Sequence, residues 1–242
     1  IPQPKKQFTK PRRSFNNRRQ FDRGRKPPHP AVDMNAVLDP ADRKTAHIPN
    51  PDPGVIRIIP LGGVEEIGKN MTAIEIGDDI IVIDAGMYFS NESTPGIDYV
   101  IPNTRYLEER KDKIRALIIT HGHLDHIGGV PLVLSRIGNP PVYSRNLTVL
   151  MLKKRQSEFP HLPALNTVIV EKDDVMTIGN LKVKFWGVTH TIPDSMGIII
   201  ETPYGWIVNP GDYKLDQVDG VVTESEEKEY KIFDNNKTLL LM

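Results

Sequence analysis

Six residues constrain this chain more than any others. His121-Gly122-His123-Leu124-Asp125-His126 places three imidazoles and a carboxylate directly after residues 114–120, an apolar, β-branched run that reads as a buried strand. Residues 127–137 are apolar at helical spacing, so the cluster is expected on a strand-to-helix turn, exposed yet held at both ends. His121 and His123 are two positions apart. In an extended segment they project to the same side, where both can reach one metal ion. Asp125 and His126, beyond the change of direction, can face a second ion. Imidazole together with carboxylate suits zinc, with manganese as the other candidate. Gly122 is expected to relieve crowding between the two histidines, and Gly128 and Gly129 to let the helix start pack close against the strand. Four potential ligands in six residues argue against ordinary surface histidines.

Three more residues stand at comparable places. His190 ends a second β-rich run, and the polar turn 191–195 follows it, so its position imitates that of the first cluster. It is the expected third ligand for the ion held by His121 and His123, the other reading being a satisfied core or turn histidine. Asp194 and Ser195 could hydrogen-bond around it. Asp84 ends the run IIVID; a buried carboxylate needs partners, while a plain strand-end turn is the other reading. Asp212 follows Gly211 in NPGDYKLD. His29, His47 and His161 lie in tail, linker and loop sequence without ligand-like neighbours. The segment GGVEEIGKN lacks a Gly-x-Gly-x-x-Gly pattern and leads into an alternating strand, which excludes a phosphate-binding glycine loop.

The remaining periodicities indicate an α/β chain. Strands are expected over 55–63, 71–77 and 80–86, the last two joined by a Gly77-Asp78-Asp79 hairpin. Residues 101–112 read as a short amphipathic helix capped by Asn103 or Thr104. A short strand over 140–146 precedes a helix over 147–159 whose stripe Leu147, Leu150, Met151 should face the core. Hairpin turns follow at 178–180 and 203–205, and the chain closes on an apolar strand, TLLLM.

The net charge of zero hides an asymmetry. Residues 1–30 carry ten Lys or Arg against the single acid Asp22, and the remainder carries 21 basic and 30 acidic residues. The proline-rich, apolar-poor segment 1–30 cannot bury enough surface to fold alone. Its Arg12, Arg13, Arg18, Arg19, Arg23 and Arg25, interleaved with Phe8, Phe15 and Phe21, could grip phosphates and stack on unpaired bases. A ribosome, another protein or no partner at all are the other readings. Residues 31–54, with their Asp-Pro and Pro-Asp-Pro-Gly steps, read as a linker. Cysteine is absent, which fits a reducing cytoplasm and excludes disulfides or thiolate-bound zinc. No apolar run reaches the roughly 18 residues that span a membrane.

HGHLDH matches the HxHxDH signature of the metallo-β-lactamase superfamily. LGGVEEIGKNMTAIE (61–75), IVIDAGMYF (81–89), GIDYVIPNTRYLEE (96–109), VTHTIPDSMGIIIETPYG (188–205) and NPGDYKLD (209–216) resemble the ribonuclease J family of its β-CASP group, from about residue 55 to the end. The resemblance implies a partial metallo-β-lactamase αββα sandwich over 55–242, after a basic disordered extension (1–30) and a linker (31–54). The β-CASP insertion, the rest of the domain, one more ligand histidine and the general acid are then expected beyond the chain end, so Ile1 to Met242 reads as a fragment. It implies that Asp84 orients the metal-binding loop, that Asn70 borders the cleft and that Asp212 bridges two ions. Asp125 and Asp212 become the catalytic carboxylates, holding two cations about 3.5–4 Å apart that generate a hydroxide nucleophile. The implied activity is cytoplasmic 5′-to-3′ exonucleolytic and endonucleolytic cleavage of single-stranded RNA, by a homodimer or tetramer with ribosomes or RNA-decay proteins as further partners. Asn209-Pro210 depart from the histidine or small residue usual before the Gly-Asp pair. Two other classes stay open: a hydrolase of small esters or thioesters on the same fold, and a non-catalytic fragment that docks RNA or ribosomes.

Overall fold

The computed structural model describes residues 48–89 and 96–242. The basic extension with its six arginines, and most of the linker, lie outside the described residues. At the linker's end, Asp52 O accepts the Val55 N–H at 3.0 Å while Gly54 takes φ +82°. Proline then glycine at the two central positions is what such a turn requires.

In chain order the strands are β1 (Ile56–Gly62), β2 (Met71–Ile76), β3 (Asp79–Ile83), β4 (Tyr88–Phe89), β5 (Tyr99–Val100), β6 (Ile114–Ile118), β7 (Val142–Ser144), β8 (Thr167–Ile169), β9 (Val175–Ile178), β10 (Leu181–Gly187), β11 (Met196–Thr202), β12 (Gly205–Asn209), β13 (Gln217–Val218), β14 (Val221–Val222) and β15 (Thr238–Leu241). The helices are α1 (Arg105–Glu108), α2 (Leu124–Ile127), α3 (Val130–Ile137), α4 (Asn146–Gln156) and α5 (Glu224–Tyr230). Among the described residues one sheet runs β1-β2-β3-β6-β7-β8 and a second runs β15-β12-β11-β10-β9; β4-β5 and β13-β14 form small ribbons. From β3 to β8 the first sheet is parallel, with helices on its crossovers.

Period-2 alternation sorts the apolar residues into layers. Ile81, Ile83, Ala116 and Ile118 of the first sheet meet Val183, Phe185, Ile198, Ile200 and Ile207 of the second. The intervening residues Ile80, Val82 and Leu117 point the other way, onto Leu107, Val130, Val133, Leu134 and Leu152 of the helices. On the far side of the second sheet, Trp186, Ile199, Trp206 and Val208 pack against Ile232 and Phe233. The order is therefore helix, sheet, sheet, helix. Strands covered on both faces need continuous apolar runs, which is why IIVI and ALII lack alternation. Each fully buried aliphatic side chain stabilises this arrangement by about 1.5–3 kcal/mol.

Three helical expectations change. The helix expected over 101–112 is only the turn α1, because Ile101 precedes Pro102 and is held out of the helical region, and Arg110 leaves it again at φ −132°. The apolar segment after the cluster divides into α2 and α3: Gly129 N–H turns away to Ala85 O, 2.9 Å distant, before the second helix starts. Asp125 and His126 consequently stand in α2 itself. In α4 the buried face is Thr148, Val149 and Leu152, while Leu150 is 55% exposed. Apolar residues surround this helix, so spacing does not mark the face that packs.

Among the described residues no helix is long and apolar enough to cross a membrane.

Candidate metal centre

The C-terminal ends of β3, β6, β10 and β12 converge on one edge of the sandwich. They deliver Asp84, the 121–126 cluster, His190 and Asp212. Such an edge is where α/β sheets place ligands, because the strand ends stop short and loops supply the side chains. Thr120 O accepts the Met196 N–H at 3.0 Å, which ties the two sheets together at this edge.

Five of the singled-out residues come together as two triads. The ligand atoms of His121, His123 and His190 lie within 4.8 Å of one another, and so do those of His121, His126 and Asp212. His123 Nδ1 stands 3.0 Å from His121 Nε2 and 3.3 Å from His190 Nε2. Each of these nitrogen pairs is close enough to share a proton, and the same three imidazoles could instead direct their lone pairs at one cation. The Asp212 carboxylate turns one oxygen toward each triad: Oδ1 is 3.5 Å from His126 Nε2 and Oδ2 is 3.8 Å from His190 Nε2. Asp125 joins neither triad, although its Oδ2 lies 3.6 Å from His126 Nε2 and accepts from Asn70 Nδ2 at 3.2 Å. Asn70 Nδ2 is also 3.0 Å from His126 Nε2, so the residue expected at the cleft border touches the cluster directly.

Asp84 stands behind these donors, 5% exposed, with φ +59°. Its carboxylate accepts from Thr120 N at 2.8 Å, from Thr120 Oγ1 and from His126 Nδ1 at 2.8 Å. A hydroxyl has a single proton; Thr120 gives it to Asp84 and therefore accepts from His121 Nδ1, 3.0 Å away. Both histidines are thus held with Nδ1 protonated and Nε2 turned toward the triads. Thr120 carries no signal in the sequence beyond its place next to the cluster.

Electrostatics divide the histidines. Burial, assisted by the neighbouring His126, pushes His121 down to about 4, so it is neutral and able to ligate at ordinary pH. Burial would lower His126 too, but Asp84 and Asp212 outweigh it and raise its pKa to about 10. His126 in turn holds Asp212 down at about 2 against the opposing effect of burial. A cation bound at His126 Nε2 must displace a proton.

Glycines permit the close approach of these loops. A Cβ at Gly86 would lie 1.6 Å from Asp125 O, and one at Gly129 would lie 2.6 Å from Gly86 O. Gly122 differs from expectation: a Cβ there would meet Met151 Sδ at 2.5 Å and Ile192 Cδ1 at 3.3 Å, so the space it leaves is filled from α4 and the His190 loop.

A family model described as the metallo-beta-lactamase superfamily matches residues 64–224. The chain is 43% identical over 176 residues to ribonuclease J of Thermus thermophilus, covering 69% of this chain and 31% of that protein. It is 42% identical over 162 residues to ribonuclease J 2 of Staphylococcus aureus (67% and 29%), and 40% identical over 182 residues to ribonuclease J of Mycoplasma pneumoniae (74% and 32%). The chain thus spans about a third of the length of these relatives. A solved structure of a protein of unknown function from Enterococcus faecalis V583 superposes with a TM-score of 0.50 at 19% identity, over 65% of this chain and 43% of that one, a likeness of fold.

Proposed function

The chain belongs to the metallo-β-lactamase superfamily, and from that premise we propose that it carries the metal centre of a ribonuclease that hydrolyses single-stranded RNA. The substrate class comes from relatives named ribonuclease J at 40–43% identity. The observation that carries the metal reading is the convergence of two donor triads on one edge of the sandwich, with Asp212 turned to both.

In this reading His121, His123 and His190 hold one divalent cation, and His126 with Asp125 and Asp212 holds a second. The imidazole-rich set suits zinc first, and the carboxylates admit manganese. When bound, such a pair of cations makes a water nucleophilic near neutral pH and neutralises charge that develops on a phosphodiester. The chain's own residues prepare the donors. Asp84 and Thr120 keep the Nε2 atoms of His121 and His126 aimed at the centre, Asp212 sets the spacing between the triads, and Asn70 fixes Asp125. Both 5′-to-3′ exonucleolytic and endonucleolytic cleavage belong to the proposal. Arg12, Arg13, Arg18, Arg19, Arg23 and Arg25 add salt-sensitive RNA contacts.

The test uses the full-length gene product with 5′-monophosphorylated single-stranded RNA and Zn²⁺ or Mn²⁺, comparing wild type with His123→Ala and Asp212→Ala. Mononucleotide release by wild type, lost in both variants, is expected. Intact RNA with metal-loaded wild type would overturn the nuclease reading.

A further inference from the structure

Helix α5 is unusual in what it buries. Its single buried residue is Glu226, 4% exposed. A buried carboxylate requires a partner, and Glu226 Oε2 has one in the Thr189 hydroxyl, which donates to it at 2.8 Å. Thr189 immediately precedes His190.

Thr189 is bound on its backbone as well. Its carbonyl accepts the Lys214 N–H at 2.8 Å, from the loop that carries Asp212. Two residues further along that loop, Asp216 O accepts the Thr223 N–H at 3.0 Å. Thr223 caps α5 by accepting the Glu226 N–H at 3.3 Å on Oγ1, and the Glu226 carboxylate returns to Thr189. The four contacts close a ring. The two loops it joins are those of His190 and Asp212, whose facing Nε2 and Oδ2 atoms are 3.8 Å apart. A second acid one turn along the helix, Glu229, accepts from Lys172 Nζ at 2.7 Å and seats α5 across the same strand end.

We propose that Glu226 is a positioning residue for the metal centre, acting through the Thr189 hydroxyl to hold the His190 loop and the Asp212 loop at a ligating separation. This rests on the reading of His190 and Asp212 as metal ligands. Neither Thr189 nor Glu226 faces the centre. A partner behind a ligand fixes its orientation, and losing such a partner costs roughly 10–100-fold in metal affinity.

The test is Zn²⁺ affinity of the full chain, read by competition with a chromophoric chelator, alongside thermal unfolding of the same metal-free proteins. Thr189→Val keeps the shape and removes the hydroxyl; it should weaken zinc binding by roughly 10–100-fold. Thr189→Ser and Glu226→Gln each keep their half of the bond and should bind like wild type. Glu226→Ala should match Thr189→Val, and if it fails to fold, Thr189→Val decides alone. A purely structural role predicts a lower melting temperature of the metal-free variants with wild-type zinc affinity, and that result overturns the proposal while leaving the metal reading intact. A wild-type chain that binds no zinc removes the metal reading itself.

Discussion

Asp84 Oδ2 accepts the Nδ1 proton of His126 at 2.8 Å, across 42 residues of sequence. The same carboxylate holds Thr120, and through it His121, so one side chain fixes Nδ1 of two histidines whose ring centroids are 4.1 Å apart. The strand end β3 thereby orients imidazoles that follow β6 and stand in α2.

Removing that carboxylate leaves buried donors without an acceptor, each costing about 1–3 kcal/mol. Asp84→Ala should therefore lower the stability of the metal-free chain by about 2–4 kcal/mol in a denaturant titration. Asp84→Asn, which keeps one acceptor oxygen, should lose less stability yet still weaken zinc binding by about tenfold or more.

Gly86 is a steric requirement. Any Cβ there would overlap Asp125 O at 1.6 Å, and both atoms are backbone or fixed to it, so relief demands that α2 move. Gly86→Ala should destabilise the chain by about 3 kcal/mol or more, whereas Gly77→Ala, with nothing within 4 Å of its Cβ, should cost about 1 kcal/mol for its φ of +61°. Thermal melts of the two variants compare them directly.

Acid stability should depend on Asp79, at the edge opposite the centre. Its carboxylate pairs with Arg115 Nε and accepts from Asn180 N at 2.7 Å and from Asn180 Nδ2 at 2.9 Å. Burial raises its pKa, but these partners outweigh it, and the folded-state value lies below the ordinary 3.8. The folded chain therefore binds fewer protons there than the unfolded chain. The stabilisation is present above pH 3.8 and is lost as pH falls through the lowered value. Asp79→Asn should flatten the fall in stability with acid, measured by denaturation at a series of pH values; an unchanged slope would remove Asp79 from the account.

Helix α4 offers a paired comparison. Leu152 is fully buried and Leu150 is 55% exposed. Leu152→Ala should cost about 2–5 kcal/mol, and Leu150→Ala no more than about 0.5 kcal/mol. The reverse order would mean that α4 packs by the other face.

How much of this is legible in the sequence depends on the range of the interaction. The strands of the two sheets announce themselves, because runs such as IIVI and GIIIE are apolar, β-branched and bounded by turns. The 121–126 cluster is dense enough to be read alone, and His190 can be placed by its position at a strand end. Asp84 and Asp212 need the family resemblance, since a lone aspartate after a strand is more often a turn residue. Thr120 and Glu226 are invisible. Their meaning lies in hydrogen bonds to residues that only the fold brings near, and Glu226 sits in a helix whose composition reads as a solvated face. The buried side of α4 escapes for the opposite reason, an excess of apolar residues with no single stripe.

Asp212 turns one carboxylate oxygen toward His126 and the other toward His190, and that makes the central claim measurable. The full chain, dialysed against Zn²⁺ and analysed for bound metal by mass spectrometry, should hold two equivalents as wild type. His190→Ala and His121→Ala should each chiefly lose the first site and His126→Ala the second, and Asp212→Ala should weaken both. A wild type without zinc, or an Asp212→Ala chain that keeps the wild-type stoichiometry, would contradict the paired metal centre.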